Sequence, residues 1–397
     1  MRILLASESY LPYVSGVTVS VDSLARGLGR RGHEVLVLAP RPAGGSEPPA
    51  VGSPGPAPRY AWLGSYELPA VVPPGYRMPW PNPWAGALRE ARDFRPDVIH
   101  AHSPFLTGLA ALRLARVLGV PLAFTHHTRF ADYGHYLGPL AGPASSLTDA
   151  YLGRFWRACA AIVAPSQDLA GDIRDRLPAT LGSRVTVIPT GIDVTGIRAL
   201  DPVDPRVEAG WADDVLVVAS LGRLAPEKSP QLLLEAMALA APRRPELRLL
   251  VIGGGPSAGA LGARAARGDL AGRVHMTGPL GRPEALARLR GADLFAFASR
   301  TETQGLVLAE ALAAGLPAVA VEGPGVRESV RDGIDGTVVA YEPAVTLPER
   351  LADAIVDTAD PERRAALAGR ALADAERFAI DRRLAELEAL YARIQAG

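Results

Sequence analysis

The sequence is poor in features that assign a protein to a class at first sight. Its 397 residues contain one cysteine, Cys159, which excludes an internal disulfide and a cysteine metal cluster. No run of about 18 apolar residues occurs, and the apolar run at the start is too short for a signal peptide or a membrane helix, so we expect a cytosolic protein. The formal net charge is zero, which gives no reason to expect nucleic acid as a partner.

Lysine is almost absent. Among the 42 lysines and arginines, Lys228 is the one lysine. Because lysine and arginine differ wherever a compact point charge is needed, the position of this residue is informative. It lies in GRLAPEKSP, residues 222–230, directly after the apolar run Val215–Leu221. Two cations on one strand-to-helix turn, Arg223 and Lys228, suit a diphosphate leaving group.

Apolar strand-like runs alternate with helical segments along most of the chain. Arg2–Ala6, a helix from about Val17 to Arg30 and a second strand at His33–Ala39 form a β-α-β unit, which favours a parallel sheet. The same alternation restarts at Val215. We therefore predict an α/β protein with two Rossmann-like parallel-sheet domains that face a cleft. At the start of the first helix, Gly16 could let backbone amides approach a phosphate, or it could form an ordinary tight turn.

Two carboxylates lie on one strand-loop-helix unit, SRTETQGLVLAEALAAGLPAVA, residues 299–320. Glu302 is on the loop after the strand Ala292–Ala298, and Glu310 is a little over one turn into the following helix. Ligands of doubly wound sheets bind at the carboxyl ends of the strands, where helix-start amides favour anions. Two carboxylates beside them suit sugar hydroxyls, although the pair could also be two solvated glutamates on a surface helix.

Histidines follow two predicted strands of the first half. His102 comes just after Asp97–Ala101, and His126 and His127 follow Pro121–Thr125. Metal binding is not expected, because no carboxylate or cysteine stands at ligand spacing from them. A neutral imidazole that hydrogen-bonds a sugar hydroxyl is the interpretation we favour, above all for His127.

Glycine-rich turns give one further candidate. GGGP at residues 253–256 follows the strand Arg248–Ile252, and glycines there would let the backbone approach a ligand closely. It is not a Walker loop, since no GK[ST] follows. GLGRRG at residues 27–32 matches GxGxxG formally, but it follows a helix and precedes a strand, so we reject it as a dinucleotide site.

An aromatic and proline-rich stretch, YAWLGSYELPAVVPPGYRMPWPNPW at Tyr60–Trp84, follows a Pro/Gly-rich loop at Arg41–Arg59. Tryptophan, tyrosine and arginine together favour the boundary between water and lipid. Two interpretations remain: a packed irregular connection, or a loop that contacts an acceptor or a membrane. A second connection, the acidic and proline-containing Asp201–Gly210, is predicted as a surface linker.

The Glu-x7-Glu spacing, the Gly-Arg-Leu-x-x-x-Lys pattern at residues 222–228 and the Gly-x-Gly-Pro turn together resemble the family 4 retaining glycosyltransferases of the GT-B fold. The resemblance covers most of the chain. It implies an acceptor-binding domain at residues 1–190, joined by a C-terminal helix at 379–397 that crosses back to it. Residues 191–378 would form the domain that binds the nucleotide sugar.

The resemblance also implies roles for the charged residues. Arg223 and Lys228 would hold the diphosphate, Glu310 the ribose hydroxyls and Glu302 the sugar hydroxyls near C3 and C4. With His127, which would lie by the donor sugar and the acceptor, the predicted catalytic residues are His127, Glu302, Arg223 and Lys228. The predicted nucleotide-sugar-binding residues are Gly16, Arg223, Lys228, Gly253, Gly255, Glu302, Thr303, Gln304, Gly305, Leu306 and Glu310.

Three segments are similar to one branch of the family, the bacterial diacylglycerol glucosyltransferases. They are THHTRFADYGHY at residues 125–136, the pair YELPA and PGYRMPWP, and TETQGLV with its Gln304. The predicted acceptor or membrane contacts are Tyr76, Arg77, Trp80, Trp84, Asp132, Tyr133 and His135.

The resemblance therefore implies retaining transfer of a hexose, glucose, from a UDP-sugar to a lipid acceptor, diacylglycerol, by a cytoplasmic protein bound peripherally to the inner face of the membrane. No metal or other cofactor is expected, since the two cations stabilise the diphosphate and no Asp-x-Asp motif occurs. The resemblance implies front-face attack, with the leaving phosphate accepting the proton of the acceptor. The alternatives are a soluble or different lipid acceptor, a GDP-sugar donor, or a nucleotide-sugar epimerase of the same fold.

Overall fold

A computed structural model describes residues 1–45, 55–67, 75–80, 85–127, 141–299 and 301–397. The chain divides into two compact units, Met1–Asp193 with Ile380–Gly397, and Val194–Ala379. Each unit is a parallel sheet covered by helices, so the predicted fold class of two parallel-sheet α/β domains is confirmed. The acceptor-binding and nucleotide-sugar-binding roles of the two domains stay predictions.

The first unit is built on short, apolar strands that are buried on both faces, as expected for a parallel sheet between helices. The strands are β1 (Arg2–Ala6), β2 (Glu34–Pro40), β3 (Arg59–Leu63), an antiparallel side pair β4 (Ser65–Tyr66) and β5 (Met78–Pro79), β6 (Val98–Ala101), β7 (Leu122–Thr125), β8 (Ala161–Ala164) and β9 (Val185–Val187). The sheet order within the described residues is β3-β2-β1-β6-β7-β8-β9. In register, Ile3 of β1 pairs with Val35 on one side and Val98 on the other.

Helices cover both faces of this sheet. They are α1 (Gly16–Arg30), α2 (Ala85–Asp93), α3 (Leu106–Leu118), α4 (Ala141–Arg157), α5 (Gln167–Arg176) and, from the end of the chain, α15 (Ile380–Gln395). A capping box starts α1: Thr18 N–H donates to the Ser15 hydroxyl, and Ser15 N–H donates to Thr18 Oγ1.

The C-terminal helix is fixed to the first unit by apolar packing and by one buried polar contact. Leu384 and Tyr391 belong to the same core as the apolar face of α1. The ring of His100, fully buried on β6, joins the Tyr391 hydroxyl at 2.6 Å through Nδ1 and the Thr125 hydroxyl at 2.7 Å through Nε2. The predicted return of the last helix to the first domain is thereby confirmed.

The second unit repeats the design. Its strands are β10 (Leu216–Leu221), β11 (Leu247–Ile252), β12 (Val274–Gly278), β13 (Leu294–Phe297), β14 (Ala318–Val321) and β15 (Gly336–Val339), paired in the order β12-β11-β10-β13-β14-β15. Its helices are α6 (Val194–Ala199), α7 (Pro205–Ala209), α8 (Pro230–Ala240), α9 (Ala258–Ala265), α10 (Arg282–Arg290), α11 (Leu306–Ala313), α12 (Val326–Ser329), α13 (Leu347–Thr358) and α14 (Pro361–Asp374).

Two predicted connections contain regular structure. The predicted linker Asp201–Gly210 includes α7, because Asp204 caps its first turn through Arg206 N–H and Gly210 ends it in the left-handed conformation. The start of the aromatic stretch is β3, an edge strand whose Tyr60 and Trp62 rings stack 4.7 Å apart. In the described part of the chain, no helix has the length and apolar character needed to cross a membrane.

Candidate functional site

The strand order of the second unit reverses between β10 and β13, which pair although they are far apart in the chain. In such sheets the ligand crevice lies at this switch point, outside the carboxyl ends of the strands. The loop after β10 carries Arg223 and Lys228, and the loop after β13 carries Glu302. The fold therefore brings three predicted site residues to one edge of the sheet.

Lys228 and Glu302 form an ion pair at this edge. The lysine Nζ lies 2.5 Å from Glu302 Oε1, and Ser299 donates a hydrogen bond to the same oxygen at 3.1 Å. Arg223 is different: its Nη1 lies 3.6 Å from Glu227 Oε1, and 49% of its side chain is exposed. The switch point thus holds one cation fixed on a carboxylate and, beside it, a second cation that reaches solvent.

The loop that carries Glu302 packs against α12 and the turn that precedes it. Ser329 Oγ donates a 2.7 Å hydrogen bond to the carbonyl of Gln304, whose side chain is buried. Gly325 has φ of 71°, and a Cβ there would lie 2.8 Å from Gln304 Cα and 2.9 Å from the Thr303 carbonyl oxygen. Such a close approach requires glycine, and it leaves the loop little freedom to shift.

Glu310 is buried rather than solvated, with a relative exposure of 1%. This excludes the interpretation of both glutamates as surface residues. Its Oε1 accepts a hydrogen bond from Arg282, the first residue of α10. Sequence reasoning missed Arg282, although its place just after β12 put it at the same edge of the sheet as Glu302.

The glycine turn after β11 packs against protein. A Cβ at Gly253 would overlap the carbonyl oxygen of Gly222, and one at Gly255 would overlap that of Leu224. Backbone hydrogen bonds join the two turns, from Gly222 N–H to Ile252 and from Leu224 N–H to Gly254. The glycines are therefore needed to hold the turn that carries Arg223; whether they also approach a ligand stays a prediction.

We expect Gly253→Ala to lower the free energy of unfolding by roughly 1–3 kcal/mol, because φ is 134° and the new methyl group would meet the Gly222 carbonyl. Urea denaturation measures the change. The matched control is Gly262→Ala inside α9, where no atom lies within 4 Å of the new Cβ. That variant should be neutral or more stable by up to about 1 kcal/mol. Equal stability of the two variants would contradict the packing role.

The first unit has its own switch point, between β1 and β6. Glu8 lies just past β1, with 6% relative exposure. Its Oε2 accepts hydrogen bonds from Thr107 N–H at 2.9 Å and Thr107 Oγ1 at 2.6 Å. Burial raises the pKa of Glu8, and the Thr107 bonds oppose that rise. Sequence reasoning missed this residue; the available signal was a charged side chain directly after a buried strand.

The histidines gather at the same edge. His102 Nδ1 lies 2.9 Å from His127 Nε2, and the His102 and His127 rings stack with centroids 5.2 Å apart. Burial lowers the pKa of His127 to about 4, and it lowers the pKa of His102 well below 6.5. Both imidazoles are therefore neutral at pH 7, in the protonation state that the sequence analysis assumed for His127.

Two aromatic residues predicted to contact an acceptor or a membrane, Tyr76 and Trp80, each pair with another ring. Tyr76 meets Tyr13 edge-on with ring centroids 5.2 Å apart, and Trp80, half exposed, meets Tyr66 at 4.6 Å. Arg77 donates to Glu67 Oε1 at 3.0 Å, so its charge is partly neutralised.

The other predicted residues are placed as follows. Gly16 opens α1, and Leu306 opens α11 directly after Gly305, the residue before its first turn. Trp84, Asp132, Tyr133 and His135 lie outside the described residues. Within the described ranges, no group of three or more histidine, cysteine, aspartate or glutamate side chains is arranged to hold a metal ion.

Two known families match the sequence in adjacent ranges. Glycosyltransferase Family 4 matches residues 14–195, and Glycosyl transferases group 1 matches residues 205–371. The alpha-monoglucosyldiacylglycerol synthase of Acholeplasma laidlawii is 30% identical over 85% of this chain and 84% of its own. The chain belongs to the family 4 glycosyltransferases. The predicted family is therefore confirmed, and the protein is a glycosyltransferase.

Other relatives of this family 4 chain are equally similar but carry different names. The D-inositol 3-phosphate glycosyltransferase of Thermobispora bispora is 30% identical over 95% of this chain and 89% of its own. The GDP-mannose-dependent alpha-mannosyltransferase of Mycolicibacterium smegmatis is 31% identical over 87% of this chain and 88% of its own.

Solved structures of low sequence identity share the fold. Anabaena Alr3699/HepE in complex with UDP superposes with a TM-score of 0.72 at 19% identity, covering 99% of this chain and all of the other. WaaG, a glycosyltransferase involved in lipopolysaccharide biosynthesis, gives a TM-score of 0.69 at 18% identity over the full length of both chains. At this level of sequence identity, the similarity shows a shared fold.

Proposed function

We propose that this family 4 enzyme transfers glucose from UDP-glucose to diacylglycerol at a membrane surface, with retention of the anomeric configuration. The observation that carries glycosyl transfer is the ion pair of Lys228 and Glu302 at the switch point of the second unit. UDP as the nucleotide is supported by the UDP complex of a neighbour of the same fold. Diacylglycerol is supported by the relative named alpha-monoglucosyldiacylglycerol synthase.

In the proposed reaction the second unit holds the nucleotide sugar. Charge develops on the diphosphate as the bond to the sugar breaks, and cations placed there stabilise the transition state more than the ground state. Lys228 and Arg223 supply this charge, so no divalent metal is needed. Glu302 accepts hydrogen bonds from sugar hydroxyls, and Glu310 accepts them from the ribose. The leaving phosphate takes the proton of the attacking hydroxyl.

In the proposed reaction the first unit holds the acceptor. His127, neutral at pH 7, can donate one hydrogen bond to a sugar or acceptor oxygen without adding charge. The Tyr13 and Tyr76 rings offer an amphipathic surface of the kind that suits the boundary between a polar headgroup and acyl chains.

Membrane contact is supported by an exposed stripe on α3. Phe105, the residue just before α3, is 42% exposed, and Leu109 and Val117 within the helix are 40% and 68% exposed. Their spacing of four and eight residues places them roughly along one side of the helix. Beside them runs a groove of about 340 Å³ lined by Leu88, Arg89, Arg92, Arg113, Leu114 and Val117. Arginines next to exposed apolar side chains fit an anionic lipid surface. We propose that the protein is cytoplasmic and binds the inner face of the membrane peripherally through this stripe.

A second candidate is mannosyl transfer from GDP-mannose. It is favoured by the relative named GDP-mannose-dependent alpha-mannosyltransferase, which is as similar to this chain as the glucosyl relative. A second acceptor class, a soluble inositol phosphate, is favoured by the relative named D-inositol 3-phosphate glycosyltransferase. The arginines and tyrosines of the first unit are compatible with either acceptor, so the donor and the acceptor must be tested separately.

The test is nucleotide release from UDP-glucose and GDP-mannose, with diacylglycerol liposomes, with inositol 3-phosphate and without acceptor, each measured with Mg²⁺ and with EDTA. We expect release from UDP-glucose that depends on the liposomes and survives EDTA. Release that needs the soluble acceptor would contradict the membrane proposal. Release from GDP-mannose but not from UDP-glucose would contradict the proposed donor. Loss of all release in EDTA would contradict metal independence.

Two double variants distinguish membrane binding from nucleotide binding. Phe105→Ser/Leu109→Ser should lower co-sedimentation with anionic liposomes about tenfold, while nucleotide binding stays unchanged. Val207→Ser/Val345→Ser is the matched control, because these valines are 79% and 84% exposed on the second unit. Equal liposome binding by both variants would contradict the proposal that the stripe on α3 contacts the membrane.

A further inference from the structure

Glu8 has one carboxylate oxygen without a hydrogen-bond partner among the described residues. That oxygen, Oε1, is buried. A buried acceptor left unsatisfied costs roughly 1–3 kcal/mol, so native structures seldom keep one without a use. Its position is the switch point between β1 and β6, the edge at which sheets of this order bind ligands.

The other oxygen of Glu8 shows how the side chain is held. Oε2 accepts both donors of Thr107, the backbone N–H at 2.9 Å and the hydroxyl at 2.6 Å, at the start of α3. Ser103 Oγ lies 3.5 Å from the same atom. The Leu106 N–H also lowers the pKa of this carboxylate. Together these groups fix the plane of the carboxylate, so Oε1 has a defined direction.

Two tyrosines lie near this carboxylate. Burial, and next the charge of Glu8, raise the pKa of the Tyr76 and Tyr151 phenols, which places both rings within electrostatic reach of it. Tyr151 donates its hydroxyl proton to the Pro104 carbonyl, so that proton is not directed to Glu8. No described group donates to Oε1, so the group that satisfies it is a donor on a ligand or on a part of the chain outside the described residues.

We propose that, in the bound ground state, Glu8 Oε1 accepts a hydrogen bond from the free hydroxyl of the acceptor, before the proton of that hydroxyl passes to the leaving phosphate, and thereby selects acceptors with such a hydroxyl. This inference rests on the proposed diacylglycerol acceptor. A carboxylate oxygen is the matching group for an alcohol O–H, and an ether or ester at the same position would leave Oε1 unsatisfied and buried. The discrimination expected from one hydrogen bond to a charged group is about 10- to 100-fold.

The experiment compares two ligands by calorimetry in mixed micelles: dioctanoylglycerol, and its methyl ether, which is larger by one methyl group and lacks the O–H donor. Wild-type protein should bind the alcohol about 10- to 100-fold more tightly than the ether. In Glu8→Gln, Thr107 N–H forces the amide oxygen toward α3 and the amide NH₂ into the position of Oε1. Because an NH₂ group donates equally well to an alcohol and an ether oxygen, the variant should bind both ligands alike.

Controls decide between the possible outcomes. Asp22→Asn changes another buried carboxylate of the first unit, one paired with Arg26 at 3.0 Å, and should keep the preference for the alcohol. Glu8→Ala serves as a second variant and should also lose the preference. A preference that persists in both Glu8 variants overturns this proposal alone. Wild-type protein that binds neither ligand overturns the diacylglycerol acceptor and, with it, the role of Glu8.

Discussion

Replacing Lys228 with alanine should lower the turnover number for sugar transfer by about 10²- to 10³-fold, the usual effect of removing one group that stabilises developing negative charge. The lysine ammonium lies 2.5 Å from Glu302, and 27% of its side chain is exposed, so it is fixed without being enclosed. An incoming diphosphate can therefore share it with the carboxylate. Nucleotide release under saturating donor and acceptor measures the loss.

Arginine at the same position should not restore full activity. A guanidinium is larger and planar, and its fork geometry differs from the point charge of an ammonium held between a carboxylate and a phosphate. Arg243→Ala is the matched control, because Arg243 also lies 2.5 Å from a carboxylate, Asp353, but on an exposed part of the second unit. It should change neither activity nor, by more than about 1 kcal/mol, stability.

Two results would contradict the role of Lys228. Turnover within about threefold of wild type in Lys228→Ala would show that the ammonium does not stabilise the leaving group. A fall in turnover accompanied by a clear drop in the melting temperature would show that the ion pair with Glu302 serves the fold. A double variant with Glu302→Gln separates these cases, since contacting residues that act together give non-additive effects.

The sheets and the edge that carries the charged residues could be predicted because both follow from local pattern. Short apolar runs separated by helical segments define parallel strands, and polar residues just after those runs fall at the carboxyl edge. Lys228 and Glu302 were found in this way, although 74 residues separate them in the chain. The pairing of β10 with β13 then brings the two loops together.

The same reasoning could have marked Glu8 and Arg282 as edge residues, since both follow strands, but it could not give the buried contacts that they make. Glu8 meets Thr107 across 99 residues, and Arg282 meets Glu310 across 28, so neither contact has a local spacing that marks it. The glycine turn shows the opposite case. Its glycines were visible in the sequence, but the surface that they approach is the backbone of a neighbouring turn, which depends on the packing of β10 against β11.

Replacing Glu310 with alanine should lower the free energy of unfolding by about 3 kcal/mol, the lower end of the cost of breaking a buried ion pair. Glu310 is almost fully buried and Arg282 partly exposed, with 21% of its side chain accessible, so the arginine can recover some hydration when its partner is lost. Thermal or urea unfolding measures this change. Arg282→Gln should cost less, because the carboxylate then keeps a hydrogen-bond donor.

The same residue tests the proposed ribose contact once stability is separated from binding. Glu310→Gln keeps the shape of the side chain, and we expect it to weaken UDP binding by about 10- to 100-fold through the loss of charged hydrogen bonds. Wild-type protein should also prefer UDP over 2′-deoxy- and 3′-deoxy-UDP, and Glu310→Gln should lose much of that preference. In Arg282→Gln the preference should survive, since the carboxylate is still present. If both variants retain it, Glu310 stabilises α11 against α10 and the ribose is bound by other groups.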